Sequence, residues 1–286
     1  MSAISMGEGI GAVEAHPPRS KPTDYAALAL GVVPIALLYL CGLLLPLPYS
    51  PTHPDVAAIS LAPSSQHLFG TDASGFDVFS RVIASARVDL PLAVGGAALA
   101  MLIGVPVGLV ASSAGWGANA LMRVVDAIQA LPLLIVALAV VALAGDHIGD
   151  VLFAIMLVVT PTFIRLVRSQ ALVVRNARYV EAAIASGCRP GRLLRVHVLP
   201  NVSGIVLAQF AISVANAILV IAALNFLGVG VSPPTPTWGS MIATGAGVID
   251  QGQWWVALFP SLAILLVVVC FNVIARAVED LTQGRR

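Results

Sequence analysis

The chain has 286 residues, of which 58% are hydrophobic and 10% charged, with a mean hydropathy of +0.95 and a net charge of +1. Soluble domains carry about a quarter charged residues, so a water-soluble enzyme built on one core is excluded, as is disorder, which needs low hydrophobicity and high charge. There is no basic excess for nucleic acid, and Cys41, Cys188 and Cys270 form no CxxC pair that would suggest a disulfide framework or a zinc site.

A helix crosses the hydrocarbon core with about 20 mostly apolar residues. In chain order, a polar tail over 1–24 precedes an uncharged run over 25–47. That run follows too long a tail for a cleaved signal peptide, and Pro46 and Pro48 stand where a small-residue cleavage site is needed. The next runs are 90–122, with its apolar part ending near Ala114, then 127–145, and 151–164 extended past Arg165 toward Val174. The last two are 202–229 and 254–275. Six membrane helices are expected, and an all-α fold. The runs are too long, and alternate too little, for strands.

Lys and Arg set the orientation. With the amino terminus inside, 13 of the 15 basic residues are cytoplasmic: Arg19, Lys21, Arg123, the seven arginines from Arg165 to Arg195, Arg276, Arg285 and Arg286. Outside lie Arg81 and Arg87, together with Asp55, Asp72, Asp77, Asp89, Asp146, Asp150 and Asp250. Both termini are therefore expected inside, in a multi-pass plasma or inner membrane protein. Residues 48–89 are expected as an external loop and 277–286 as a cytoplasmic tail.

The inside loop over 175–200 is the most informative connection. Residues 178–186 read as a short helix, with Val180, Ala183, Ile184 and Gly187 on one apolar face. Gly187 sits where that helix ends, and Pro190 fits the first turn of a second short helix. On charge alone, a basic amphipathic loop gripping anionic lipid headgroups accounts for this segment.

The residue pattern points elsewhere. Glu181-Ala182-Ala183, three residues, Gly187, nine residues, then His197-Val-Leu199-Pro200 resembles the EAA loop of ABC importer permeases. His67-Leu-Phe-Gly-Thr-Asp72 followed by Asp77-Val-Phe-Ser-Arg81 resembles a segment of the dipeptide and oligopeptide (and nickel) permeases. So does Asn225-Phe-Leu-Gly-Val-Gly-Val-Ser-Pro-Pro-Thr-Pro-Thr-Trp-Gly239. Met122 to Asp126 and Pro260 also fall in place, and the C-type subunit is the closer match. The resemblance covers about residues 25–282. Phe76 departs from the family's usual Arg, and Ala275-Arg276-Ala277 from its Gly-Asp-Gly.

The resemblance implies a type I importer permease fold, with residues 90–276 as the permease domain of five helices. It implies a subunit that forms a path for peptides and couples, through Glu181, Ala182, Ala183, Gly187, His197, Leu199 and Pro200, to ATPases on other chains. The implied partners are a second permease subunit in a heterodimer, two cytoplasmic ATPase subunits, an extracytoplasmic solute-binding protein and membrane lipid, with no nucleic acid and no cofactor. Nickel or another small solute is the alternative cargo. The only lysine, Lys21, precedes proline, so no Walker A motif exists in the chain.

Other classes fit less well. A zinc intramembrane protease needs HExxH, and no two of the five histidines lie four apart. Ser74-Gly75 and Ser203-Gly204 are the nearest approaches to a serine version, and Asp126 and Asp146 lie at opposite span ends. No catalytic and no metal-binding residue is assigned. A non-transporting membrane scaffold is the third class, distinguished by which proteins co-purify. Elsewhere, Asp72 and Asp77 are expected as turn caps, and Trp238, Trp254 and Trp255 as interfacial anchors. Asn216 and Asn225 are expected to face the bundle interior, and Pro106, Pro132 and Pro161 to kink their spans.

Overall fold

The computed structural model describes residues 22–113, 115–144 and 147–283. Most of the expected amino-terminal tail with Arg19 and Lys21, the span ends at Ala114 and Gly145, and Asp146, Arg285 and Arg286 lie outside the described residues.

The long helices are α1 (Pro22–Leu44), α2 (Val78–Ala111), α5 (Ile148–Arg175), α8 (Leu199–Phe226) and α10 (Trp255–Gln283). Between them lie α3 (Trp116–Gln129), α4 (Leu133–Ala144), α6 (Arg178–Ala185), α7 (Pro190–Leu193) and α9 (Trp238–Ala246). No strand occurs among the described residues; Thr71 and Asp77 form one isolated bridge. Five helical segments are long and apolar enough to cross a membrane, or six if the bent pair α3–α4 counts as one span. The chain is an all-α polytopic membrane protein, as its hydropathy implied.

Three boundaries differ from expectation. Helix α2 begins at Val78, not near Leu90, so the last part of the expected 48–89 loop is helical. Its 34 residues span roughly 51 Å, well beyond a core of about 30 Å. Helix α10 runs through Gln283, so most of the expected 277–286 tail is helix. The expected span over 127–145 is broken: α3 and α4 meet at 88°. Pro132 is responsible, since it donates no N–H and forces Leu131 away from helical geometry. Pro106 and Pro161, by contrast, stay inside α2 and α5.

Helices pack in a bilayer through close approach of small residues, not through exclusion of water. Helix α2 presents Gly96, Gly104 and Gly108 to α5. A Cβ on Gly104 would sit 2.6 Å from Phe163 Cβ, and one on Gly108 2.8 Å from Val167 Cβ. Gly31 brings α1 against Cys270 and Ile274 of α10, and Gly204 brings α8 against Thr282. These contacts place the first half of α1, the start of α8 and the end of α10 at one end of the bundle. Arg175 of α5 donates to Ser112 O, 3.0 Å away, which adds the end of α2 to it. The segment over 48–77 and α9 occupy the other end, where Trp255 Nε1 donates to Thr71 O at 3.0 Å.

Gly104→Ala should therefore lower the thermal midpoint of the detergent-solubilised protein by an amount equivalent to about 1–3 kcal/mol of overpacking. Gly149→Ala, with nothing within 4 Å of the added Cβ, should leave it unchanged. Equal midpoints for the two variants would show that the α2–α5 contact can relax.

Candidate functional site

The 175–200 loop folds as two short helices, as the sequence implied. Helix α6 starts after Ala177 and carries Glu181 in its first turn. It ends in a Schellman motif: Cys188 N–H bonds Ala183 O at 3.0 Å and Gly187 N–H bonds Ile184 O at 2.9 Å. That closure needs a left-handed residue, and Gly187 has φ +81°. Nothing lies within 4 Å of a Cβ at Gly187, so the demand for glycine is conformational and not steric. Pro190 occupies the first turn of α7, as expected.

The expected apolar face is only half covered. Val180 is fully buried and Ala183 half-buried, but Ile184 is 51% exposed and Gly187 lies open. Ala182, Ile184 and Ala185 form a small exposed apolar surface beside Glu181, which is also exposed. Among the described residues Glu181 has no ion-pair partner, and no arginine of the loop neutralises it. Leu199 and Pro200 are exposed at the start of α8. His197 is partly exposed, with its ring 6.3 Å from that of Tyr179.

The seven arginines divide into two groups. Those on α5 hold the bundle: Arg165 pairs with Asp126 of α3 at 2.5 Å, Arg168 donates to Asn119 at 3.2 Å, and Arg175 closes the end of α2. Arg178, Arg189, Arg192 and Arg195 are all exposed around the loop.

At the opposite end the polar residues are structural. Asp77 caps α2 by accepting from Ser80 N–H at 2.8 Å and meets His67 Nδ1 at 2.9 Å. The His67 ring stacks on Tyr49 with centroids 4.4 Å apart. Asp72 accepts from the Ser74 and Phe76 N–H groups, an Asx turn, and lies 3.7 Å from Arg81. The Arg81 guanidinium sits 4.2 Å over the ring of Phe76, so the side chain that departs from the family pattern supplies a π face to this cation.

Two expectations about intramembrane polar groups need correction. Trp238 and Trp255 are not interfacial anchors: both are buried, and Trp238 Nε1 donates to Val82 O at 2.9 Å. Trp254 alone of the three is exposed. Asn225 is buried and bonds Val231 N–H at 2.9 Å, fixing the turn after α8, whereas Asn216 points outward. The joint that sequence reasoning missed is Asp89, which accepts from Trp238 N–H at 2.9 Å and seats α9. Its signal was a lone acid at the edge of an apolar run.

Residues 101–283 match the model of the binding-protein-dependent transport system inner membrane component family. The chain belongs to that family. It is 37% identical over 219 residues to the dipeptide transport system permease protein of Alkalihalophilus pseudofirmus, covering 76% of this chain and 72% of that one. A probable D,D-dipeptide transport system permease protein of Escherichia coli is 36% identical over 239 residues, 83% of this chain and 80% of the relative. The glutathione transport system permease protein of Pectobacterium atrosepticum is 34% identical over 227 residues, 79% and 75% respectively. The protein is thus a multi-pass membrane permease of the peptide transport group.

Asp77→Ala removes both the cap of α2 and the partner of His67. It should destabilise the protein by about 1–3 kcal/mol, read as a lower thermal midpoint in detergent. Asp77→Ser, which retains a capping acceptor, should recover part of that loss.

Proposed function

We propose that this chain is one of two permease subunits of a binding-protein-dependent peptide importer in the plasma or inner membrane, and that the 175–200 loop couples it to ATPase subunits. The observation that carries the reading is the form of α6. It is closed on itself by the Schellman motif, yet it exposes an unpaired Glu181 beside Ala182, Ile184 and Ala185. A helix with satisfied ends and a small apolar surface beside one acid suits insertion into a groove that offers a cation. The anionic headgroups that would attract the loop's arginines offer no partner to Glu181. The peptide cargo rests on the names of the relatives, which include dipeptide and glutathione permeases.

The positive charges support the orientation. The exposed arginines of the loop and both ends of the described chain lie at the same end of the bundle, and that end belongs in the cytoplasm. The partners are a second permease subunit, two cytoplasmic ATPases and an extracytoplasmic solute-binding protein meeting the opposite end.

In a background lacking Cys41, Cys188 and Cys270, a cysteine replacing Val56, which is 81% exposed, should react with membrane-impermeant thiol reagents in intact cells. One replacing Arg192 should react only after permeabilisation. Equal labelling of both in intact cells contradicts the orientation.

Glu181→Ala and Gly187→Val should both insert normally and transport poorly. Removing the charged contact weakens ATPase association by roughly tenfold or more, and a β-branched residue at φ +81° is strained. Peptide uptake and co-purification of the ATPases, normalised to membrane level, decide the matter. Wild-type uptake in both variants would falsify the coupling role and favour the lipid-surface reading.

A further inference from the structure

Pro190–Phe226 is one continuous helical run of 37 residues, but its hydrogen bonding changes at one place. Leu194–Val198 is wound as a π-helix, with Leu199 N–H bonding Leu194 O five residues back. Single π turns are uncommon and concentrate where helices work. This one has an identifiable cause. Pro200 has no N–H to give to the carbonyl four residues earlier, and its ring collides with that carbonyl in a regular α-helix. The wider turn relieves the collision. Beside it, Asn201 Nδ2 donates to His197 O at 2.7 Å, a side-chain bond laid across the same turn.

The surroundings decide what this turn can do. Beyond it, α8 is fixed: a Cβ on Gly204 would lie 2.5 Å from Thr282 Cβ, so α8 and α10 touch backbone to side chain. Before it lie α6 and α7, with Glu181, Ile184, Arg189 and Arg192 exposed. Val198, within the turn, is fully buried and stays with the core, while the ring of His197 faces Tyr179 of α6. A rigid helix, a buried pivot, a locally rearranged hydrogen-bond ladder and a self-contained exposed loop therefore follow one another along the chain.

We propose that the Leu194–Val198 π turn is the hinge between the 175–200 loop and α8, and that Asn201 is a positioning residue which clasps it during coupling. Pro200 prevents the turn from relaxing into a regular helix. The Asn201 amide keeps it from fraying, so movement of α6 reaches α8 as a pivot about Val198. This rests on the coupling reading above but adds to it a place of bending and a residue outside the EAA pattern.

The test uses the assembled transporter in liposomes, with its binding protein and a peptide substrate. Asn201→Leu keeps the size of the side chain and loses the donor; Asn201→Ser keeps a hydroxyl able to bond the carbonyl four residues back. At equal membrane levels, Asn201→Leu should lower peptide imported per ATP hydrolysed by about three- to tenfold, and Asn201→Ser should stay near wild type. Spin labels replacing Arg192 and Leu207, in the cysteine-free background, bracket the turn. Their separation should change between the nucleotide-free and ATP-trapped states, and Asn201→Leu should broaden it. A purely structural asparagine predicts lower membrane levels with an unchanged ratio of import to hydrolysis. That unchanged ratio, an equal loss in Asn201→Ser, or a label separation constant across nucleotide states overturns the hinge. If Glu181→Ala and Gly187→Val also transport normally, the coupling reading has failed. If they transport poorly while Asn201→Leu keeps its ratio, the hinge alone has failed.

Discussion

The close approach of α2 and α5 is the constraint on which the rest of the molecule depends. In lipid an apolar side chain gains little by leaving its surroundings, so two helices stay together only where their backbones come near enough for dense contact. Gly96, Gly104 and Gly108 give α2 a flat strip, and Ile155, Phe163 and Val167 of α5 fill it. This contact fixes where α5 ends. Arg175 can then reach Ser112, Arg165 can reach Asp126, and the loop that follows is delivered at a defined place. Were the strip filled by larger residues, every one of these polar contacts would lengthen together.

The two ends of the bundle solve opposite problems. At the end holding residues 48–77, acids are turned inward to bond backbone N–H groups: Asp77 at the start of α2, Asp72 in its turn, Asp89 at the start of α9. Each satisfies donors that a helix start or turn leaves without partners, and α9 is seated against α8 and α10 with its first N–H bonded to Asp89 of α2. At the other end the α5 arginines link helices, and among the described residues the segment that follows turns Val180, Leu193, Leu194 and Val198 inward. One end is tied together through its acids, the other carries a loop on a few buried contacts.

Much of this was legible in the sequence, because it followed from local rules. Gly187 and Pro190 marked the ends of two short helices, since a left-handed residue and a missing N–H have few other places to go. The all-α class and a count of five to six spans followed from uncharged length. What was not legible depended on partners distant in the chain. Trp238 has the composition of an interfacial anchor, and only the fold shows it buried against Val82. The polar but exposed Asn216 and the buried Asn225 are alike in sequence; their difference is which side of α8 meets neighbours. The break at Pro132 was read as a kink, yet the same residue type passes inside α2 and α5. Exposure does not separate them, since Pro106 is as open as Pro132 and of the three only Pro161 is buried.

The self-sufficiency of α6 bears on how such a loop can serve a partner. Its last carbonyls are taken up by Gly187 and Cys188 N–H groups and by the Ser186 hydroxyl, so the helix keeps its shape before anything binds it. A preformed element loses little conformational entropy on docking, and binding energy is then available for movement instead of folding. The same loop is joined to α8 through a turn that departs from regular helix at Leu194–Val198. A stiff unit on a compliant joint moves as a body, whereas a floppy unit on a rigid helix would absorb the displacement within itself. In the assembly proposed above, that order of stiffness is what would let a push on Glu181 and its neighbours arrive at the membrane helices as rotation.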